Sequence, residues 1–461
     1  MIMLISFIIY FCILTGIGAL FYSKAQSAKD FMLGGRSVNY FVTAIATQAS
    51  DMGSWLFLGL PAAVYANGLF EAWTAVGLVI FMFLNWQFIA PRLREVTAEY
   101  DSLTLSSYFH SRYNDTSGIL RILSALITIV FFTFYISSGL VGLGRLFEAT
   151  FNISYQLGTI IGLSTVIIYT LVGGFIAVAW CDLFQGMFLL CVIVIVPFVA
   201  YFALPQGILS VTSAATLKNI SLSLFPQSKS FFYSLSLIAG WGLGYFGQPH
   251  ILINFMGIDD PKKIKYAKYV GITWQIIVLT AAVAIGIIGI GYFKNTPING
   301  ELIFIVMAKE LFTPLLAGFA LCGIFAATLS SMDSHILVSG SVFAEDLYLR
   351  YAGSSKHLLW ASRLGATLIS LVALAIAFNN SSSVYDLVNY AWSGLGSAFG
   401  PALITSLYSK WVTKQGALAG MITGSITAAL WPYINYTILP LVPGFTISLA
   451  SIYFVSALTK K

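Results

Sequence analysis

Apolar runs of about twenty residues recur along the whole chain, each the length an α-helix needs to cross a roughly 30 Å hydrocarbon layer. Thirteen are expected, near 1–22, 38–66, 70–91, 119–147, 154–175, 181–203, 231–256, 269–293, 303–342, 357–378, 385–408, 415–434 and 438–458. The short alternating segments of a membrane β-barrel are absent, so the pattern predicts an all-α polytopic membrane protein. The runs at 38–66 and 303–342 are too long for simple rods, and the latter reads as an outer lead-in helix followed by the true span. Lys24 and Lys29 follow the first run and no basic segment precedes it, so it reads as a retained helix rather than a cleaved leader.

Polar positions interrupt these runs unevenly. The second carries Gln48, Ser50, Asp51, Gly53 and Ser54, and the seventh carries "GWGLGYFGQPH" at 240–250. Five spans separate the two positions, the trace left by transporters built from two inverted halves whose first helices break near the midplane to hold ion and substrate. An ionised Asp at a span centre costs roughly 2.5–3.5 kcal/mol, so Asp51 needs a cation, a partner or a wet cavity. It is a functional candidate, or else a structural carboxylate bonded to the amides of a broken helix. In "FAATLSSMDSH" the positions 327, 330, 331 and 334 share one helical face, and their oxygens suit a hard cation such as sodium. The same serines could instead bond back to the preceding turn. Asp182 is expected at the inner mouth of the sixth span.

Composition narrows the function. Of 461 residues, 58% are hydrophobic and only 9% charged, which leaves no soluble domain and removes most enzymes. Of the 23 Lys and Arg, all but Arg145, Lys218, Lys229, Lys294 and Lys309 fall on one set of alternate loops. The positive-inside rule then puts the amino terminus outside and the carboxyl terminus inside, and the net charge of +6 is an inner belt rather than a nucleic-acid footprint. The four cysteines show no metal-ligand spacing and read as small buried apolar residues.

The stretches "FMLGGRS", "ATQASDMGSWLFLGLPAAVY", "FFTFYISSGLVGLGRLFE", "YTLVGGFIAVAWCD", "GWGLGYFGQPHIL", "SSMDSHILVSGSVFAEDLY" and "YAWSGLGSAFGPA" together resemble the sodium/solute symporter family, and within it the sodium/proline symporters, from about residue 30 to the end. The resemblance implies one transporter domain over 1–461: an extra helix and inner loop (1–37), a five-plus-five inverted-repeat core (38–408) with its first and sixth helices broken, and two closing helices (409–461). It implies Na⁺ held by carbonyls of Ala49, Met52 and Ala327 and hydroxyls of Ser330 and Ser331, with Asp51 as the sodium-linked carboxylate. Ser54, Trp55, Tyr135, Trp241 and Tyr245 would meet substrate, and Gly53, Gly244 and Pro249 would shape the breaks. The chain departs from the pattern in having Gly53-Ser54 where the sodium/proline symporters have Ser-Gly, and in having Asp333 in place of serine. Asp182, Asp333 and Ser334 are therefore candidates for a second cation or proton site.

The expectation is sodium-coupled uptake of L-proline across the cytoplasmic membrane, with the lipid bilayer as surroundings and no obligate protein partner. Another small amino acid or organic acid as substrate, a sodium-dependent channel, or a non-transporting sensor stay open at this point.

Overall fold

The computed structural model describes residues 2–21, 28–227, 229–294, 296, 298–352, 357–379, 383–435 and 438–460. Lys24, Lys356 and Lys461, counted above among the inner cations, lie outside these. Helical segments lie over every apolar run, and among the described residues no β-strand forms, only an isolated bridge between Val38 and Ile258. Eight helices among the described residues are by themselves long and apolar enough to cross a membrane. Several of the remaining runs are broken or shorter.

The elements that build the site are α1 (Ile2–Phe21), α2 (Tyr40–Asp51), α3 (Ser54–Phe57), α4 (Gly59–Asn67), α5 (Ile119–Phe151), α6 (Tyr155–Phe202), α7 (Phe231–Gly242), α8 (Pro249–Gly257), α9 (Ile264–Tyr292), α10 (Ile303–Leu311), α11 (Pro314–Val342) and α12 (Val384–Tyr408). Local chemistry fixes their ends. The Asn39 side chain accepts from the amides of Phe41 and Val42 at 3.0 Å and starts α2, a cap worth about 1 kcal/mol. Pro249 and Pro314 occupy the first turns of α8 and α11, where a missing N–H costs nothing. The block expected as lead-in plus span resolves into α10 and α11.

α11 is the centre of the molecule, buried from Ala320 to Val342 and packed against α1, α2, α5 and α6. Small residues permit the close crossings. On α5, a Cβ at Gly142 would lie 2.6 Å from the Cβ of Ser54. α6 bends at Gly174, whose φ of 64° and ψ of −172° suit glycine.

The charged groups sort to opposite ends. At one end Arg121 pairs with Glu345 and Asp346, Lys414 with Asp115, and Arg36 donates to the carbonyls of Met256, Thr97 and Ser102. At the other, Arg145 pairs with Glu301, Lys218 donates to the Phe293 carbonyl and Lys309 to that of Ala149.

One expectation needs correction here. Cys12 and Cys191 are exposed on outer helix faces; only Cys181 and Cys322 are buried. A thiol is apolar enough to face lipid as readily as a core, so composition could not place them. Between the apolar runs, residues 92–118 and 204–230 carry the short helices Leu105–Arg112 and Ile208–Leu217.

Candidate functional site

The first break falls at "DMG". Met52, with φ −86° and ψ 71°, ends α2, and Gly53 starts α3. The Gly53 amide turns back to the Asp51 carbonyl at 3.0 Å instead of continuing the ladder to Ala49, and the Leu56 amide goes to Gly53 rather than Met52. Both Ala49 and Met52 thereby lose their helical i+4 donors. The Asp51 carbonyl also accepts from the Trp55 indole at 3.0 Å, which pins the turn.

Asp51 is buried, and its Oδ2 accepts from the Tyr245 phenol at 2.6 Å. Tyr245 accepts in turn from Gln275 Nε2 at 2.8 Å. Tyr245 sits in the second break, a tight 3₁₀ turn over Leu243–Gly247 between α7 and α8. Its own carbonyl is met by Asn85 Nδ2 at 3.0 Å, and that of Trp241 by the Trp392 indole at 2.8 Å. Gly244 lets that indole lie against the backbone, and Pro249 restarts the helix. At the second break the Trp241 and Tyr245 carbonyls are met by the protein, although Gln248 Oε1 has no partner among the described residues; at the first, Asp51 Oδ1 and Gln48 Oε1 are buried acceptors with no partner among the described residues. Orphaned acceptors of this kind suit a small hard cation.

α11 supplies the facing oxygens. A Cβ on Gly53 would lie 2.6 Å from Ser331 Oγ, so the break and this serine are in direct contact. Ser331 Oγ donates to the Thr328 carbonyl at 3.2 Å, and Ser330 Oγ to Asp182 Oδ1 at 2.5 Å. Ala327 is fully buried one turn earlier. Asp182 is not at a mouth of the bundle but 1% exposed inside it, because α6 runs on through its Gly174 kink and carries the residue inward. Ser334 faces the same carboxylate. Asp333 is also buried, within electrostatic reach of Tyr10 and Cys181.

The expected aromatic residues divide into two groups. Trp55 and Trp241 stack with centroids 6.0 Å apart, and the Trp241 indole donates to the Tyr385 hydroxyl at 3.2 Å. Tyr385 also lines a cleft of about 320 Å³ with Asn67, Glu71, Tyr233 and Glu301. Tyr135 lies instead against His335 at 4.1 Å and His250 at 5.7 Å. Ser54, the first residue of α3, is buried against Gly142. Sequence reasoning missed Asn85, Gln248, His250, Gln275, His335, Tyr385 and Trp392. Gln248 and His250 lie inside the quoted glycine-rich motif and could have been read from it.

The chain matches the model of the sodium:solute symporter family over residues 31–424. It belongs to that family. It is 40% identical to a sodium/proline symporter of Escherichia coli (strain K12), covering 99% of this chain and 93% of that one. It is likewise 40% identical to an osmoregulated proline transporter of Bacillus subtilis (strain 168), covering 99% and 95%. Among solved structures it is similar to a Na⁺-coupled sialic acid symporter in a substrate-bound outward-open state, with a TM-score of 0.84, 18% identity, and 99% and 98% of the two chains covered. It is also similar to MhsT in complex with L-phenylalanine, with a TM-score of 0.60, 10% identity, and 91% and 99% covered. As a sodium:solute symporter the protein is an integral membrane transporter and not an enzyme, and sodium is its coupling ion.

Proposed function

We propose that the protein takes up L-proline with sodium across the cytoplasmic membrane by alternating access, as its relatives' names indicate for them. The observation that carries this reading is the cradle at the first break, where unladdered carbonyls at Ala49 and Met52 face Ser331 across Gly53. Na⁺ is held there by the carbonyls of Ala49, Met52 and Ala327 and the hydroxyls of Ser330 and Ser331. Each hydroxyl spends its proton on another acceptor, Asp182 or Thr328, and turns its lone pairs to the cation. Asp51 balances the charge and, through Tyr245, ties the two breaks together.

Sodium binding orders the first break and favours the conformation that admits substrate. The proline ring packs on Trp55, Trp241, Tyr135 and Tyr245, with Ser54 at the edge of the site, and helix-end groups meet its charges. Asp182 with Ser334, and Asp333 beside them, form an additional station for a cation or proton. One charge crossing 100 mV releases about 2.3 kcal/mol, and a tenfold sodium gradient adds about 1.4 kcal/mol, enough for a few-hundred-fold gradient of a neutral zwitterion.

The reading includes thirteen crossings with the amino terminus outside and the carboxyl terminus inside, an orientation supported by the grouping of the Arg121 and Lys414 ion pairs at one end and the Arg145 pair at the other. In proteoliposomes, unlabelled L-proline should outcompete other amino acids and organic acids for sodium-driven uptake of radiolabelled proline. Equal competition by an unrelated amino acid would remove selectivity for proline while leaving sodium coupling intact.

A further inference from the structure

His250 and His335 form a buried pair outside the sodium cradle. Both are fully buried, with ring centroids 4.3 Å apart and planes at 73°. His335 lies one turn along α11 from Ser331, and His250 is the second residue of α8 after the second break. Phe132 and Tyr135 on α5 close the cage, with centroids 4.8 and 4.1 Å from His335. All four imidazole nitrogens, and the Tyr135 hydroxyl, have no hydrogen-bond partner among the described residues.

Packing does not explain this pair. Each unsatisfied buried polar atom costs roughly 1–3 kcal/mol, and two apolar side chains of similar size would fill the space without that cost. A transition metal lacks ligands, since no group of three His, Cys, Asp or Glu side chains able to hold one occurs among the described residues. Phe132 and Tyr135 pack on the rings, and among the described residues neither imidazole forms an ion pair with a carboxylate. What two neutral imidazoles do present, in either tautomer, is two N–H donors in a dry, aromatic-walled layer, beside the start of a nine-residue helix. That arrangement suits a carboxylate.

We propose that His250 and His335 recognise the carboxylate of the transported amino acid as it passes the layer beside Tyr135. This rests on the reading of the chain as a carrier of a small amino acid. The rings touch one another in this conformation, so the carboxylate engages them when α8 and α11 part. On the α8 side, a narrow cavity lined by Ser106, Thr128, Pro249, Leu252 and Ser341 adjoins the layer.

The test compares L-proline with L-proline methyl ester, which keeps the ring and ammonium but has no carboxylate. Binding is read with sodium present, by ligand-induced thermal stabilisation of the full-length protein in detergent. Wild type should bind proline at least about tenfold more tightly than the ester, the scale of a charge-assisted hydrogen bond. In His250→Leu/His335→Leu the gap should fall to about threefold or less, with the sodium midpoint unchanged; in His250→Gln/His335→Gln, which keeps donors, it should persist. If the double leucine variant does not fold, each single leucine variant should narrow the gap. Equal binding of both ligands by wild type, a full gap in the leucine variants, or its loss in the glutamine variant would overturn the proposal. If a different amino acid proves to be the substrate, that amino acid and its methyl ester replace the pair, so the identity of the substrate and the role of the histidines are decided separately.

Discussion

The Tyr245 phenol donates to Asp51 Oδ2 at 2.6 Å, joining the two helix breaks across 194 residues of sequence. Because Tyr245 is itself held by Gln275, the carboxylate at the first break is aimed by groups from two other helices. Tyr245→Phe keeps the ring and removes only the donor. A hydrogen bond to a charged group is worth about 1.5–3 kcal/mol, so apparent sodium affinity should fall about tenfold or more. Sodium-activation curves of uptake check this, and a midpoint equal to wild type would show that Asp51 is not positioned through Tyr245.

The order Gly53-Ser54 has a steric reason here. A side chain at 53 would point at Ser331 Oγ, and that hydroxyl can only give way by rotating from the cradle. Gly53→Ala, and the exchange Gly53→Ser with Ser54→Gly, should both raise the sodium concentration needed for half-maximal uptake by about threefold to tenfold, the effect of about 0.7–1.4 kcal/mol. Unchanged sodium dependence in both would mean that Ser331 does not ligate the ion.

Ser330 and Ser331 should differ when each is changed to Ala. Loss of Ser331 removes a cradle oxygen. Loss of Ser330 also strips one of two hydroxyl partners, the donor at 2.5 Å, from the buried Asp182 carboxyl and leaves it Ser334 alone. A buried carboxyl left short of a donor costs more than a lost bond between neutral groups, so Ser330→Ala should be the less stable by about 1–3 kcal/mol, and Asp182→Asn should restore part of the loss. Thermal unfolding of the three proteins in detergent decides this; equal stability of both serine variants contradicts the link.

What could be read from the sequence and what could not follow one physical line. Asp51 and Gly53 stand out because a charge and a helix breaker are costly within an apolar span, and the serines of α11 stand out because they share a helical face. Gln275, Tyr385 and Trp392 are single polar or aromatic residues on ordinary spans, and their meaning comes from Tyr245 and Trp241, 30, 144 and 151 residues away in sequence. Asp182 was misplaced because an apolar count cannot tell a loop from a kink. Gly173-Gly174 was the available signal, and the kink falls at Gly174.

Strong acid should destabilise one end of the bundle. Asp115, in the turn before α5, is buried, which raises its pKa. Hydrogen bonds from Ser117 and the Leu120 amide, and the nearby Lys414, more than offset this and bring it down to about 2. A pKa lower in the folded than in the unfolded chain gives stability that is complete above about 4 and is lost as pH falls through about 2. Thermal unfolding between these limits should therefore show wild type losing stability more steeply than Asp115→Asn. Parallel curves would place the acid sensitivity elsewhere.

Sodium coupling itself is tested most directly by radiolabelled L-proline uptake into proteoliposomes with an inward sodium gradient, against choline or an inward proton gradient in its place. Uptake should accumulate proline above equilibrium only with sodium, and should be larger with an inside-negative potential. Equal accumulation in choline or with protons alone would contradict the assignment of the cradle at Ala49, Met52, Ala327, Ser330 and Ser331 to the coupling ion.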